Sequence, residues 1–448
     1  MSLTISRILH AGYVFECDGT LIAFDPIFEN PFSRNCHAFP DVRFDHARIR
    51  ELRFDAVFIS HFHDDHCSLE SLDFLDRRTP IYLYCAFDEL FAMLGELGFV
   101  NVNKLETDVA VSVGPFDVIP REALDSDVDS MFQIKAAGLN VLNVVDSWIA
   151  DATLAELVRQ GPWDMVLWPF QTMLETDVLS PSRAAPASLA SPAEFMEQLR
   201  VLNPRYVVPS SCQFEQEPWS WYNQRFFPIS YRQFQRDVGD VLPGAQVVRL
   251  DPSVSVTLDA ASLVSSPALA WVIPVGAQDV DYQYDAAREA PSSADIARHF
   301  APLTAAQSRT VIDYCRTGLL SKYGEMEVPE DSFFEKPRVW QLSVYDHEGR
   351  GTHYRYRIDG ERMEHCGEGD GRLAWTTEVP ASKLYAALEL GESLTSMYMR
   401  INDVRFDADI EAEIEEAEIV DDPLIRCLFN DAVCAYQAAQ LRRLKARN

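Results

Sequence analysis

The sequence predicts an α/β protein: a first half built as sheets covered by helices, followed by a second, α+β unit. Three observations carry this. Short apolar runs with turn signals come first, strands and helices then alternate about twice, and the run at 55–60 scarcely alternates, as in a strand buried on both faces. With 448 residues and 47% apolar content, the chain can bury a sizeable core.

In order, residues 15–24 read as a hairpin turning at Asp18-Gly19 and ending at Asp25-Pro26. After the strand at 55–60, residues 67–77 suit a helix, 80–85 a strand, and 87–97 a helix stopped by Gly98. Strands are expected within 109–120 and 131–145, a helix at 151–160, a strand at 164–168, a helix at 192–202 and a strand at 206–208. This domain, 1–260, gives way to a connecting segment rich in Ala, Ser and Pro, 261–302. The C-terminal domain, 303–448, reads as a helix at 303–320, strands at 339–345, 353–358 and 373–378, a helix at 381–390, a strand at 398–406 and a closing helix at 423–445. Residues 407–422 hold nine acidic residues and no basic one, the composition of a solvated face or a mobile segment.

A formal charge of -30 repels phosphate backbones and anionic membranes, so a small-molecule substrate is expected, with neither nucleic acid nor membrane as partner. The opening residues lack the basic start and apolar core of a signal peptide, and 260–278 is too rich in Ser, Pro and Gly for a membrane span. Nine cysteines without a CxxC pair suit reduced thiols in a cytoplasmic protein. There is no Gly-rich phosphate loop, and no spacing for haem or an iron–sulfur cluster.

The chemistry concentrates in His61-Phe62-His63-Asp64-Asp65-His66, directly after the buried strand. His61 and His63 point the same way where side chains alternate, and Asp65 and His66 can reach back from the following helix. Neutral imidazoles with a carboxylate suit Zn, Fe or Mn, as one or two divalent ions. Asp146 ends the strand-like run 139–145 and is the next candidate ligand; its bland alternative is a turn cap. Asp25 stands at an earlier strand end, where it can orient a ligand imidazole.

The cluster resembles the HxHxDH signature of the metallo-β-lactamase superfamily, and His10-Ala11-Gly12 with Asp25-Pro26 resembles its UlaG-like and cytidine-monophosphate sialic acid hydroxylase-like branches, over roughly residues 5–250. The resemblance implies an αββα sandwich with metal at one edge. It implies that His61 and His63 ligate a first metal, that Asp65, the catalytic carboxylate, and His66 ligate a second, and that Asp146 bridges, with His10 and Asp25 in support. With no histidine between 67 and 298, the usual five-histidine site cannot form. Asp129 is the expected substitute, ahead of Glu122, Asp125 and Asp127. A single metal on two histidines and a carboxylate, an iron oxygenase arrangement, or a degenerate site are the alternatives. Those hydroxylases use a Rieske cluster, which this chain does not encode, so an oxygenase would need an external reductase or ferredoxin, or a reducing substrate.

The aromatic stretch 214–234 offers Trp219, Trp221, Tyr222 and Arg225 as a substrate pocket, or else as a packed crossover supporting the second domain. Ser210, Ser211 and Cys212 occupy the position of the family's last histidine, with Cys212 either a metal contact or an inert cysteine. Three functions follow as expectations. The first is a metal-dependent hydrolase of a small, optionally anionic organic substrate. The second is an iron-dependent oxygenase, and the third a non-catalytic or regulatory metal-binding protein.

Overall fold

The computed structural model describes residues 2–327, 332–367, 369, 371–430 and 433–447. Two sheets face each other. The first has eight strands, in the order Leu263–Ser266, Ser255–Leu258, Leu3–Arg7, Tyr13–Cys17, Thr20–Phe24, Ala56–Ile59, Ile81–Leu83 and Val102–Lys104. The second has seven: Gln246–Val247, Tyr206–Pro209, Met165–Trp168, Leu139–Asn143, Ser130–Ala136, Phe116–Glu122 and Val111–Val113. Both begin as antiparallel meanders and continue as parallel strands joined through helices, which explains why Ala56–Ile59 is buried throughout.

Phe24 and Phe58 of the first sheet meet Phe132 of the second, with ring centroids 5.1 Å apart for Phe24 and Phe132, and all three are fully buried. The outer faces are apolar too. Leu90 and Leu94 of the helix Asp88–Leu97 share a core with Val57, Ile59 and Ile81, while Leu157, Leu199 and Val238 of three further helices share it with Leu142, Val166 and Val207. Helices on both outer faces of two packed sheets make the αββα sandwich that the sequence predicts.

The hairpin turns at Asp18 and Gly19, φ 48° and 79°, the pair of left-handed residues that a two-residue turn needs. The helix expected over 67–77 shrinks to Leu69–Leu72, because Ser68 caps it only after the histidine loop has closed.

The segment 261–302 is less of a connector than its composition suggests. Leu263–Ser266 forms the edge of the first sheet, Val272–Pro274 pairs with Val42–Phe44, and the Tyr282 hydroxyl donates to the Phe214 carbonyl at 2.9 Å. A few well-placed apolar residues are enough to dock an Ala- and Pro-rich run.

Another sheet has five strands, ordered Arg362–His365, Gly351–Asp359, Arg338–Tyr345, Leu373–Pro380 and Arg400–Ile401. Of the strand expected at 398–406, only Arg400–Ile401 pairs. Residues 407–422 are also more ordered than their charge implies, with a helix at Ala408–Ile414 and Asp422 fully buried, where it accepts from the Trp375 indole at 2.8 Å and from two backbone amides. The closing helix divides into Pro423–Phe429 and Ala435–Arg447; residues 431–432 lie outside the described residues.

Candidate metal centre

The histidine loop follows Ala56–Ile59 and closes on itself, with the His66 and Cys67 amides both donating to the His63 carbonyl. Asp25, at the end of the neighbouring strand, organises it. The Ser60 amide donates to Asp25 Oδ1 at 2.7 Å, and the Ser60 hydroxyl and His66 Nδ1–H both donate to Asp25 Oδ2, at 2.7 and 3.0 Å. A hydroxyl has one proton, and Ser60 gives it to Asp25. The Ser60 oxygen therefore accepts from His61 Nδ1–H at 2.9 Å. Both histidines are left with a lone pair on Nε2, facing inward.

His61 Nε2 is buried without a hydrogen-bond partner, and so is Asp129 Oδ1, 3.7 Å away. That gap suits two ligands of one cation, each roughly 2.0–2.2 Å from it. With His63 they form a group whose donor atoms lie within 4.8 Å of one another. Burial and the charge of Asp146 push the Asp129 carboxyl up to about 7, the mark of a carboxylate short of a cation.

The second group is His10, Asp65, His66 and Asp146. His66 Nε2 stands 2.9 Å from Asp146 Oδ2 and 3.6 Å from Asp65 Oδ2. Burial opposes charge on His66, but the carboxylates of Asp146 and Asp65 outweigh it and raise the imidazole well above its usual range. Burial and the charge of His66 drive His61 the other way, well below its usual range. In the metal-free protein a proton on His66 Nε2 answers these carboxylates, and the donor chemistry suits a divalent metal in its place.

Backbone strain aims two of these residues. Asp146 follows Val145, whose φ of 64° is uncommon for a β-branched residue. His10, φ 47°, sits in a tight turn where a Cβ on Gly12 would lie 2.8 Å from the Asp25 carbonyl, so only glycine lets the turn approach. His10 Nδ1 accepts from the Cys212 amide at 3.1 Å, which leaves its proton on Nε2, 3.1 Å from Asp65 Oδ2. The buried Arg7 guanidinium fastens this turn to the second sheet through the carbonyls of His10, Pro209 and Ser210.

The structure thus brings His61, His63, Asp65, His66, Asp129 and Asp146 together, with Asp25 bonded behind them and His10 pointing in beside them. Glu122, Asp125 and Asp127 are exposed and belong to neither group. Cys212 reaches the cavity wall but joins neither group, and burial pushes its thiol well above the usual range.

The expected substrate pocket is elsewhere. None of Trp219, Trp221, Tyr222 and Arg225 lines the cavity over the histidines. Trp219 stacks on His299 at 4.2 Å and meets Tyr398 at 4.9 Å, Tyr222 packs on Tyr398, and Arg225 lies over Trp221 while donating to the Ala185 carbonyl. These aromatics cement the second unit onto the first. The cavity itself, of 440 Å³, is walled by Trp148, Phe195, Phe214 and Phe226, and by Ser393–Thr395 from the C-terminal unit. Glu175 also faces it.

That unit also braces the metal loop. The Gln437 amide donates to the carbonyls of Phe62 and Cys67, at 2.7 and 2.8 Å, and Gln440 accepts from the Leu69 amide while donating to Ser68 Oγ. Ser60 could be suspected from its place before His61; Glu175, Trp148 and the two glutamines carry no motif.

Asp25→Asn keeps the shape of the side chain but replaces one acceptor oxygen with a donor. Metal affinity, measured by chelator competition, is expected to fall by about 10–100-fold. Unchanged affinity would mean that Asp25 does not orient the ligands.

Residues 4–211 match the family model of the beta-lactamase superfamily domain. No curated protein matches the chain. Among solved structures, the chain is similar to Igni18, a metallo hydrolase from Ignicoccus hospitalis KIN4/I (16% identity, TM-score 0.40, covering 58% of this chain and 99% of that one). It is also similar to CmlA, a diiron β-hydroxylase from Streptomyces venezuelae (18%, TM-score 0.38, 57% and 53%). A third is an isothiocyanate hydrolase from Delia radicum gut bacteria (13%, TM-score 0.39, 59% and 100%). With its two helix-covered sheets and the histidine loop at a strand end, the segment 4–211 belongs to the beta-lactamase superfamily and has the metallo-β-lactamase fold.

Proposed function

We propose that this protein is a metal-dependent hydrolase acting on a small organic substrate. The observation that carries the reading is the pair of donor groups, three imidazoles and three carboxylates besides His10, converging beneath one 440 Å³ cavity. His61, His63 and Asp129 would hold one ion, and Asp65, His66 and Asp146 a second. Divalent cations there supply an activated water and polarise the oxygen of a scissile bond. The side chains do the rest. Asp25 and Ser60 fix both imidazoles in the tautomer that presents Nε2. His10 Nε2–H holds Asp65 Oδ2, which fixes the carboxylate that would align the attacking water. The aromatic wall limits access of bulk water to the reacting groups.

A specific observation favours a second reading. His61, His63 and Asp129 are two histidines and one carboxylate, the set of non-haem iron oxygenases. Hydrolysis is preferred because water is its only co-reactant, whereas oxygenation also needs a source of electrons. Metal analysis of the full chain, joined to turnover of a nitrophenyl ester panel with and without oxygen, separates the readings. Zinc or manganese with oxygen-independent hydrolysis supports the first, and iron with oxygen uptake the second. Bound metal without either activity would point to a regulatory role.

No helix among the described residues is long and apolar enough to cross a membrane.

A further inference from the structure

Among the described residues, five carboxylates line the cavity over the candidate metal centre, and no lysine or arginine does. Asp65, Asp129 and Asp146 belong to the donor groups and are answered by the cations those groups would hold. Asp64 and Glu175 belong to neither group. Two divalent ions carry four positive charges against these five carboxylates, so the lining keeps at most one net negative charge. Glu175 is the carboxylate free to meet a ligand: it is exposed at the start of the helix Glu175–Leu179 and makes no hydrogen bond or ion pair among the described residues. The cleft walls thin the water around it and, with the charges of Asp65 and Asp146, push it up to about 6, so it is ionised at neutral pH.

The rest of the wall is apolar. Trp148 is 39% exposed, a large aromatic left open inside a functional cleft, and its ring lies 4.1 Å from that of Phe195. A carboxylate and an open indole lining one cavity are the two elements that hold an organic ammonium group, through a charge-assisted hydrogen bond and a cation–π contact. An anion would meet neither. The arginine that the sequence offers for one, Arg225, is engaged with the Ala185 carbonyl and lies 3.6 Å from Asp177, away from the cavity.

We propose that Glu175 and Trp148 select substrates in which an ammonium group adjoins an apolar or aromatic body. This rests on the hydrolase reading for what happens next, since it names the substrate class of the same site.

The test uses the zinc-loaded full chain and two probes of one shape, 2-phenylethylamine, protonated at neutral pH, and neutral 2-phenylethanol, titrated by calorimetry. The ammonium probe is expected to bind about tenfold tighter or more, the range of a hydrogen bond to a charged group. Glu175→Gln should erase that advantage while keeping the alcohol's affinity and the metal content. Equal binding of the two probes, no binding of the amine, or a preference that survives Glu175→Gln overturns the proposal. Ester turnover without ammonium preference overturns it and leaves hydrolysis standing. Ammonium preference without turnover supports it and removes the hydrolase reading alone.

Discussion

His61→Ala with His63→Ala is expected to cost at least about one equivalent of bound metal, because only Asp129 of its donor group remains. Turnover should fall on the order of a thousandfold or more, since the activated water and the polarised bond are lost together. The fold should survive. His61 Nε2 is a buried polar atom with no partner, so its removal relieves a cost in the metal-free protein, and His63 is exposed. Elemental analysis and the urea midpoint of the chelator-treated protein measure the two halves. Unchanged metal stoichiometry would end the assignment of these histidines as ligands.

The second large effect comes from outside the sandwich. Gln437→Ala with Gln440→Ala leaves the carbonyls of Phe62 and Cys67 and the Leu69 amide short of a partner, next to the histidine loop. Each buried group left unsatisfied costs about 1–3 kcal/mol, so the pair should lose at least about 3 kcal/mol of stability. Both glutamines are almost wholly inaccessible, which makes replacement by water difficult. Metal affinity should fall with stability, because Phe62 and Cys67 flank His61, His63 and His66. A double variant that unfolds at the wild-type urea concentration would show that the helix Ala435–Arg447 rests on the loop without holding it.

Much of the centre was legible in the sequence because its chemistry is local. Three histidines in six residues after an unalternating strand, and aspartates at the ends of two other strands, are signals that need no knowledge of the fold. The choice of Asp129 among four neighbouring acids also has a local basis: it alone directly precedes the strand Ser130–Ala136, whereas Glu122, Asp125 and Asp127 face solvent. The pocket was not legible. Trp219 and Tyr222 are as aromatic as any substrate wall, and only the position of Tyr398, far along the chain, shows that they bury against the second unit. His10 enters the second donor group through a left-handed turn that its neighbours barely announce. The partition at residue 260 missed how 263–274 completes two sheets, since edge strands in Ala- and Ser-rich sequence carry little periodicity.

The glutamine contacts join residues 370 and 375 positions apart. Pairings so distant along a chain form late, after the entropy of closing the intervening loop has been overcome by structure within it. The histidine loop would then acquire its backbone support only once both sheets and the C-terminal helix have assembled. Refolding followed by two probes should show metal capture lagging behind sheet formation, so that cofactor loading reports completion of the whole molecule.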